Sequence, residues 1–194
     1  MTEFQSLTGR LLVAMPGIGD PRFEQAVILV CVHEPDHAMG LRLDRPTPMA
    51  DLHSVLAKLD LPAPDSAIGD FVLMGGPVDR ERGFVLHTAD WISPEASMVF
   101  RDGLALREGL ALTATRDALV AMTDDAGPRR AKLFLGYAGW DEGQLEDELG
   151  ENVWLIADAD MEVVFDDDHA TKWSRALKGL GIDGAMLSGQ AGRA

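Results

Sequence analysis

The chain has 194 residues, 46% of them hydrophobic and 25% charged, with 32 acidic against 17 basic residues and a formal net charge of −15 at pH 7. That length and apolar content suffice for one core with at most a small flanking lobe, and no run approaches the ~18 apolar residues of a membrane-spanning helix. The charge would repel nucleic-acid phosphates, and the basic residues fall in pairs such as Arg80/Arg82 and Arg129/Arg130 without a long stripe, so direct nucleic-acid binding is disfavoured.

Residues 7–15 form a strand-like apolar run that stops at Pro16-Gly17, and Gly19-Asp20-Pro21 prolongs the turn. The start of the chain lacks a basic segment followed by an apolar one, so a cytoplasmic protein is expected. Residues 26–33, Ala-Val-Ile-Leu-Val-Cys-Val-His, are the near-continuous β-branched run of a strand covered on both faces. Residues 39–43 follow as its antiparallel partner across a Glu34-Pro35-Asp36-His37 hairpin. The single cysteine, Cys31, lies inside the first of these strands and fits a reducing compartment.

His33-Glu34-Pro35-Asp36-His37 matches the H-E-x-x-H pattern, whose chemistry needs both histidines on one helical face. Pro35 would break that helix at a cost of about 3 kcal/mol, and the preceding residues are strand formers. No third ligand is signalled, so neither a metal nor a cofactor is expected.

Residues 51–59 read as a short helix with Leu52, Val55, Leu56 and Leu59 on one face and His53 in solvent. Residues 61–69 read as a loop, and Phe71–Met74 as a strand that runs into Gly75-Gly76-Pro77-Val78, taken as a turn. After the charged segment 79–82 comes a further strand, 83–88. Alternation there sets His87 opposite Phe84 and Leu86 and predicts a surface or edge-strand histidine. Strands at 98–100 and 110–113 and a helix over 115–122, with Ala118, Leu119 and Met122 inward, complete this half.

The densest signals lie in residues 136–155. An apolar strand, 131–137, meets Gly136 and Gly139, an aromatic corner at Trp140, an acidic helix with Leu145 and Leu149 at i and i+4, Gly150 as its cap, and a strand from Val153. Residues 153–157 and 162–165 read as paired strands. A last helix follows, with Asp168 as its N-cap, Asp166 and Asp167 near its positive end, Ala170, Trp173, Ala176, Leu177 and Leu180 inward, and Gly179 or Gly181 at its close. Residues 184–194 read as frayed.

Several of these segments resemble one family. Ala14-Met15-Pro16-Gly17, Asp20-Pro21 with Phe23, His33 followed by Ala38-Met39-Gly40-Leu41, Gly75-Gly76-Pro77-Val78, Arg82-Gly83-Phe84-Val85-Leu86-His87, and Gly136-Tyr137-Ala138-Gly139-Trp140 with Gly143-Gln144-Leu145-Glu146 are similar in order and spacing to the bacterial AlgH/YqgE family, over about residues 7–187. The resemblance implies one α+β domain whose curled, bifurcated mixed sheet forms a pseudo-barrel flanked by helices. Some members are called transcriptional regulators, and no catalytic residues come with the family.

Two departures stand out. His37 replaces a glycine of the pattern, and Arg42 and Asp44 replace apolar or amide residues, which predicts a charged outward face on that strand.

The expected function is therefore non-enzymatic: contact with a protein or small molecule that affects transcription indirectly, without a membrane. The ligand- or partner-binding residues are expected among Gly75, Gly76, Arg80, His87, Tyr137, Trp140 and Gln144. Two readings compete with it. A pocket joining Gly75-Gly76, Arg80, His87, Tyr137 and Trp140 would support a hydrolase. An exposed strand edge or apolar patch would instead support a homodimeric interaction module in place of a monomer.

Overall fold

The computed structural model describes residues 4–17, 20–62, 71–100 and 109–183. Its ten strands are β1 (Arg10–Ala14), β2 (Val27–Glu34), β3 (His37–Arg42), β4 (Pro46–Asp51), β5 (Phe71–Met74), β6 (Val78–Thr88), β7 (Ser97–Phe100), β8 (Leu110–Thr113), β9 (Ala131–Asp141) and β10 (Trp154–Asp158). The helices are α1 (Leu52–Lys58), α2 (Arg116–Ala121), α3 (Gln144–Gly150), α4 (Met161–Phe165) and α5 (Lys172–Gly179). The strands join in one curled sheet of order β10-β1-β2-β3-β9-β6-β8-β7, from which β5 and then β4 branch at β9. The frayed end expected at 184–194 and most of the loop expected at 61–69 lie outside the described residues.

β9 is the trunk. Its first half pairs in parallel with β5, Val72 to Met74 against Leu133 to Leu135, and its second half pairs antiparallel with β3, from Gly40↔Ala138 to His37↔Asp141. β6 lies along its other edge. The split occurs at Gly136, whose φ of 71° suits a residue without Cβ. Gly75 and Gly76 press their backbone against it there: a Cβ on Gly75 would lie 2.2 Å from Gly136 O, and one on Gly76 2.0 Å from Tyr137 C. The Gly75 N–H donates to Leu135 O at 2.9 Å, and Gly75 O accepts from Arg42 N–H at 2.8 Å. The two glycines are thus a backbone crossing and not a free turn.

Three apolar clusters fill the folded sheet. Leu11, Val13, Leu29, Leu41 and Phe134 face the interior with Val164 and Leu177 of the C-terminal helices. Their alternating neighbours Leu12, Ala14, Ile28 and Val30 pack on the opposite face with Leu145 of α3. Leu52 and Leu56 of α1, Ala118 of α2 and Met122 at its C-cap cover Val72, Val85 and Leu133. β2 is buried on both faces, as its unbroken apolar run requires.

Several sequence expectations change. The charged segment 79–82 lies within β6 as an outward bulge, since Val78 pairs with Tyr137 and Gly83 with Leu135, five steps against two. Trp140 sits inside β9 and turns no corner. The acidic helix closes at Asn152 (φ 57°) and not at Gly150: Val153 N–H reaches Glu148 O at 2.9 Å and Asn152 N–H reaches Leu149 O at 3.1 Å. Residues 162–165 belong to α4 and not to a strand, because Asp160 accepts from the N–H groups of Glu162 and Val163 and starts a helical turn. β10 pairs instead with β1. Ala170 is exposed, and Lys172 takes the inward place on α5. Asp168 precedes a 3₁₀ turn over 169–171 without bonding its side chain to a cap N–H, and Gly181 (φ 74°) ends α5. Arg42 and Asp44 form a buried ion pair in place of a charged outward face.

The C-terminal segment is fastened to the sheet by polar anchors. Trp173 Nε1 donates to Ala14 O at 2.8 Å, and His169 Nδ1 donates to Leu43 O at 3.3 Å. Lys132 of β9 pairs with Asp167, and the fully buried Lys172 bonds Val163 O and Asp166. Burial would raise the Asp166 pKa, but its bonds to Arg175 and Lys172 outweigh that and hold it at about 2. Burial lowers the Lys172 pKa, opposed by Asp166. His169 Nε2 is buried without a hydrogen-bond partner. Burial first, then Lys172 and Lys132, lower the His169 pKa, while Asp167 and the Leu43 carbonyl oppose them. His87 is also shifted down by burial.

Two outcomes follow from this packing. Gly76→Ala must displace backbone and is expected to cost more than about 4 kcal/mol, whereas Gly150→Ala, with open space around its Cβ, should stabilise by up to about 1 kcal/mol. Urea unfolding of the two variants checks the contrast. A histidine with a lowered folded pKa binds its proton more readily in the unfolded chain, so that part of the stability is complete above about 6.5 and is lost as pH falls below it. The urea midpoint is expected to drop between pH 7.5 and pH 5.5, and His169→Gln, which keeps a donor for Leu43 O, should drop less.

Candidate functional site

A groove runs along the outer side of the glycine crossing. One wall is the turn over 20–24. Asp20 caps it by accepting from Arg22 N–H at 2.9 Å, and its carboxylate also takes the Arg22 side chain, with Nη2 to Oδ2 at 2.7 Å. Arg42 holds this turn down from β3: its guanidinium donates to Arg22 O and to Glu24 O, and pairs with Asp44 at 2.7 Å. Asp44 in turn accepts from Val27 N–H at 3.0 Å. Phe23 packs edge-on to Trp154, ring centroids 5.9 Å apart.

The opposite wall is α3. Glu148 accepts from both buried indoles, Trp140 Nε1 at 2.9 Å and Trp154 Nε1 at 2.6 Å, on the same oxygen. Its other oxygen accepts from Gln144 Nε2 at 2.8 Å, while Gln144 Oε1 accepts from Asp141 N–H at 3.1 Å. Strand β9, strand β10 and helix α3 are therefore tied through one carboxylate. Between the walls lies an open groove of about 280 Å³, floored by Pro77, Ala138 and Gly139. Past Phe23 and Pro77 it meets a second recess of about 40 Å³, lined by Gly76 and by Arg22, Arg42, Arg45 and Arg80.

Of the seven residues singled out in the sequence, Gly76, Arg80, Trp140 and Gln144 line these two connected spaces. Gly75 lies in the crossing behind them. Tyr137 turns the other way, into the interior cluster, edge-on to Phe84 at 5.8 Å. His87 is remote: it pairs with Ala131, six residues along β9 from Tyr137, or about 20 Å at about 3.3 Å per residue.

His87 is also fully buried and not at a surface or edge. From Phe84 to Thr88 β6 is covered on both faces, so alternation carries no exposure signal there. Its Nδ1–H donates to Thr88 O at 3.0 Å, which leaves Nε2 to accept from Thr113 Oγ1 at 2.9 Å. Thr113 is joined to Ser97 at 2.6 Å, and Ser97 accepts from Ser93 N–H at 2.8 Å. This chain fixes a neutral imidazole inside the fold. The pocket that would have united His87 with Tyr137, Trp140 and Arg80 does not form among the described residues.

The other histidines divide likewise. His33 Nδ1 accepts from Leu7 N–H at 3.0 Å and its Nε2 donates to Glu146 at 2.8 Å, which pins the N-terminal segment to α3. His37 lies past the hairpin and bonds Asp36 at 2.8 Å. Glu34, Asp36 and His37 bring ligand-type atoms within 4.8 Å of one another at that tip, all three exposed and without His33. Cys31 is buried, and burial pushes its thiol up to about 12.

Sequence reading missed Arg22, Arg45 and Glu148. Asp20-Pro21 and Phe23 carried a signal, since they form part of the family resemblance, and Glu148 stands at i+4 from Gln144 on α3. The pairing of Arg42 with the carbonyls of Arg22 and Glu24 bridges residues far apart in sequence and leaves no local trace.

Comparison with known proteins gives a consistent picture. The family model described as AlgH-like, DUF179, matches residues 11–185. A UPF0301 protein of Caulobacter vibrioides is 53% identical over 189 residues, covering 97% of this chain and 94% of the relative. One from Paracoccus denitrificans is 46% identical, with both chains covered in full. Among solved structures, the AlgH protein of Pseudomonas aeruginosa matches over all of both chains with a TM-score of 0.73 and 36% identity. A Corynebacterium diphtheriae protein shares the fold at a TM-score of 0.73 and 21% identity, covering 97% of this chain and 94% of its own.

Truncation of Glu148 tests how the wall is built. Glu148→Ala leaves two buried indole N–H groups without their acceptor and is expected to cost about 2–4 kcal/mol in urea unfolding followed by tryptophan fluorescence. Glu148→Gln, which keeps a carbonyl oxygen, should cost less.

Proposed function

We propose that this chain, which belongs to the AlgH-like family, is a cytoplasmic binding protein that takes up a small molecule in the groove beside α3 and acts without catalysing a reaction. Occupancy of the groove alters its contact with a protein partner, so an effect on transcription is indirect. One observation carries this reading: Trp140 and Gln144 line the groove, and Gly76 and Arg80 line the recess that shares Arg22, Phe23 and Pro77 with it, so residues from separate segments gather around two adjoining hollows. Its carboxylates are already engaged in the walls, Asp20 by Arg22 and Glu148 by two indoles and Gln144. Such groups hold shape and are poorly placed to act as a general base. The net charge of −15 favours an indirect route over contact with DNA.

A thermal-shift screen against metabolites and nucleotides tests the reading, because a ligand that binds only the folded chain raises its melting temperature by mass action, by about 2.7 kcal/mol of stability at 100 times Kd. At least one saturable shift is expected, weakened in Gln144→Ala. A flat screen together with tight, steeply salt-dependent binding of duplex DNA would overturn it.

A further inference from the structure

The smaller recess has a composition that this acidic chain does not otherwise favour. Four arginines line its roughly 40 Å³, and no carboxylate does. Two of them are neutralised from outside, Arg22 by Asp20 and Arg42 by Asp44. Arg45 and Arg80 are exposed and, among the described residues, have no acidic partner, although the chain carries 32 acidic residues against 17 basic.

Neither arginine is there by accident of a loose loop. Arg45 follows β3, and its carbonyl accepts from Met74 N–H of β5 at 2.8 Å. Arg80 rides on the outward bulge of β6, its Cα 3.2 Å from where a Cβ on Gly136 would stand. Backbone pairing therefore brings two guanidinium groups to one concavity, where a single anion can accept hydrogen bonds from both.

We propose that this recess binds the phosphoryl group of a small phosphate monoester, whose organic part extends past Phe23 and Pro77 into the larger groove. The inference rests on the binding reading given above and names its ligand class. Two unneutralised guanidiniums match the two charges of a phosphate monoester, whereas a carboxylate would satisfy one. The volumes agree with that division: the arginine recess admits little more than an anionic head, and the adjoining 280 Å³ offers apolar surface at Phe23 and Val153 and an amide at Gln144.

The experiment is calorimetric titration and thermal shift with inorganic phosphate, and with sugar phosphates and nucleoside monophosphates each paired with its dephosphorylated parent. The protein is used as wild type, Arg45→Gln, Arg80→Gln and Gln144→Ala. The expected result is that a phosphorylated compound binds well above its parent and that its affinity falls with added salt. Arg45→Gln and Arg80→Gln should each weaken it about ten- to hundredfold while leaving the ligand-free melting temperature unchanged, since both side chains are exposed.

Equal binding of compound and parent, weakened by Gln144→Ala but by neither arginine variant, overturns the phosphate inference and leaves the binding groove standing. Phosphate-dependent binding that survives both arginine substitutions places the anion elsewhere and also overturns it. If no probe binds wild type, the inference fails, and the wider metabolite screen then decides the groove reading by itself.

Discussion

The contact of Gly75 and Gly76 with β9 at residues 136–138 is the constraint on which the rest of the architecture depends. One edge of β9 serves β5 as far as Leu135 and β3 from Ala138 onward, and the chain leaving β5 must cross between them. Hydrogen bonds from Gly75 N–H to Leu135 O and from Arg42 N–H to Gly75 O close both branches at that one residue. The contact is backbone against backbone, so no change of rotamer can make room for a side chain. From the split follow the three separate apolar clusters. The outward bulge of β6 and the groove outside the crossing follow from it too.

Much of this was legible where the signal is local and long. The β-branched run in β2 announced a strand covered on both faces, and the apolar stripe of α1 announced its buried side. The errors arise where a period cannot be read. Met161–Phe165 is five residues rich in β-branched and aromatic types, too short to display a helical repeat, and the Asp160 cap decides its conformation. His87 was misplaced because alternation distinguishes faces only when one of them meets water, and β6 has apolar residues on both.

The candidate site was legible in the same uneven way. Gly76, Trp140 and Gln144 come from segments that also carry the family resemblance, Arg80 from the charged stretch between two of them, and three strand pairings and α3 gather them. Tyr137 came from the same segment as Trp140 yet points into the interior, because residues three apart on one strand lie on opposite faces. The long-range partners that complete the walls, Glu148 for two indoles and Arg42 for the turn over 20–24, depend on folding to become neighbours.

Electrostatics then separates paired from unpaired charge around the groove. A buried pair such as Arg42–Asp44 is seldom a large net source of stability, because desolvation offsets much of its attraction. It does impose geometry: the guanidinium bonds two carbonyls of the turn while its carboxylate partner bonds Val27 N–H, so turn, β2 and β3 keep one arrangement. Glu148 does the same for β9, β10 and α3. Once those charges are committed to the walls, Arg45 and Arg80 remain at the recess without an acidic partner among the described residues, so the charge at the recess is set by these two side chains while the walls keep their shape.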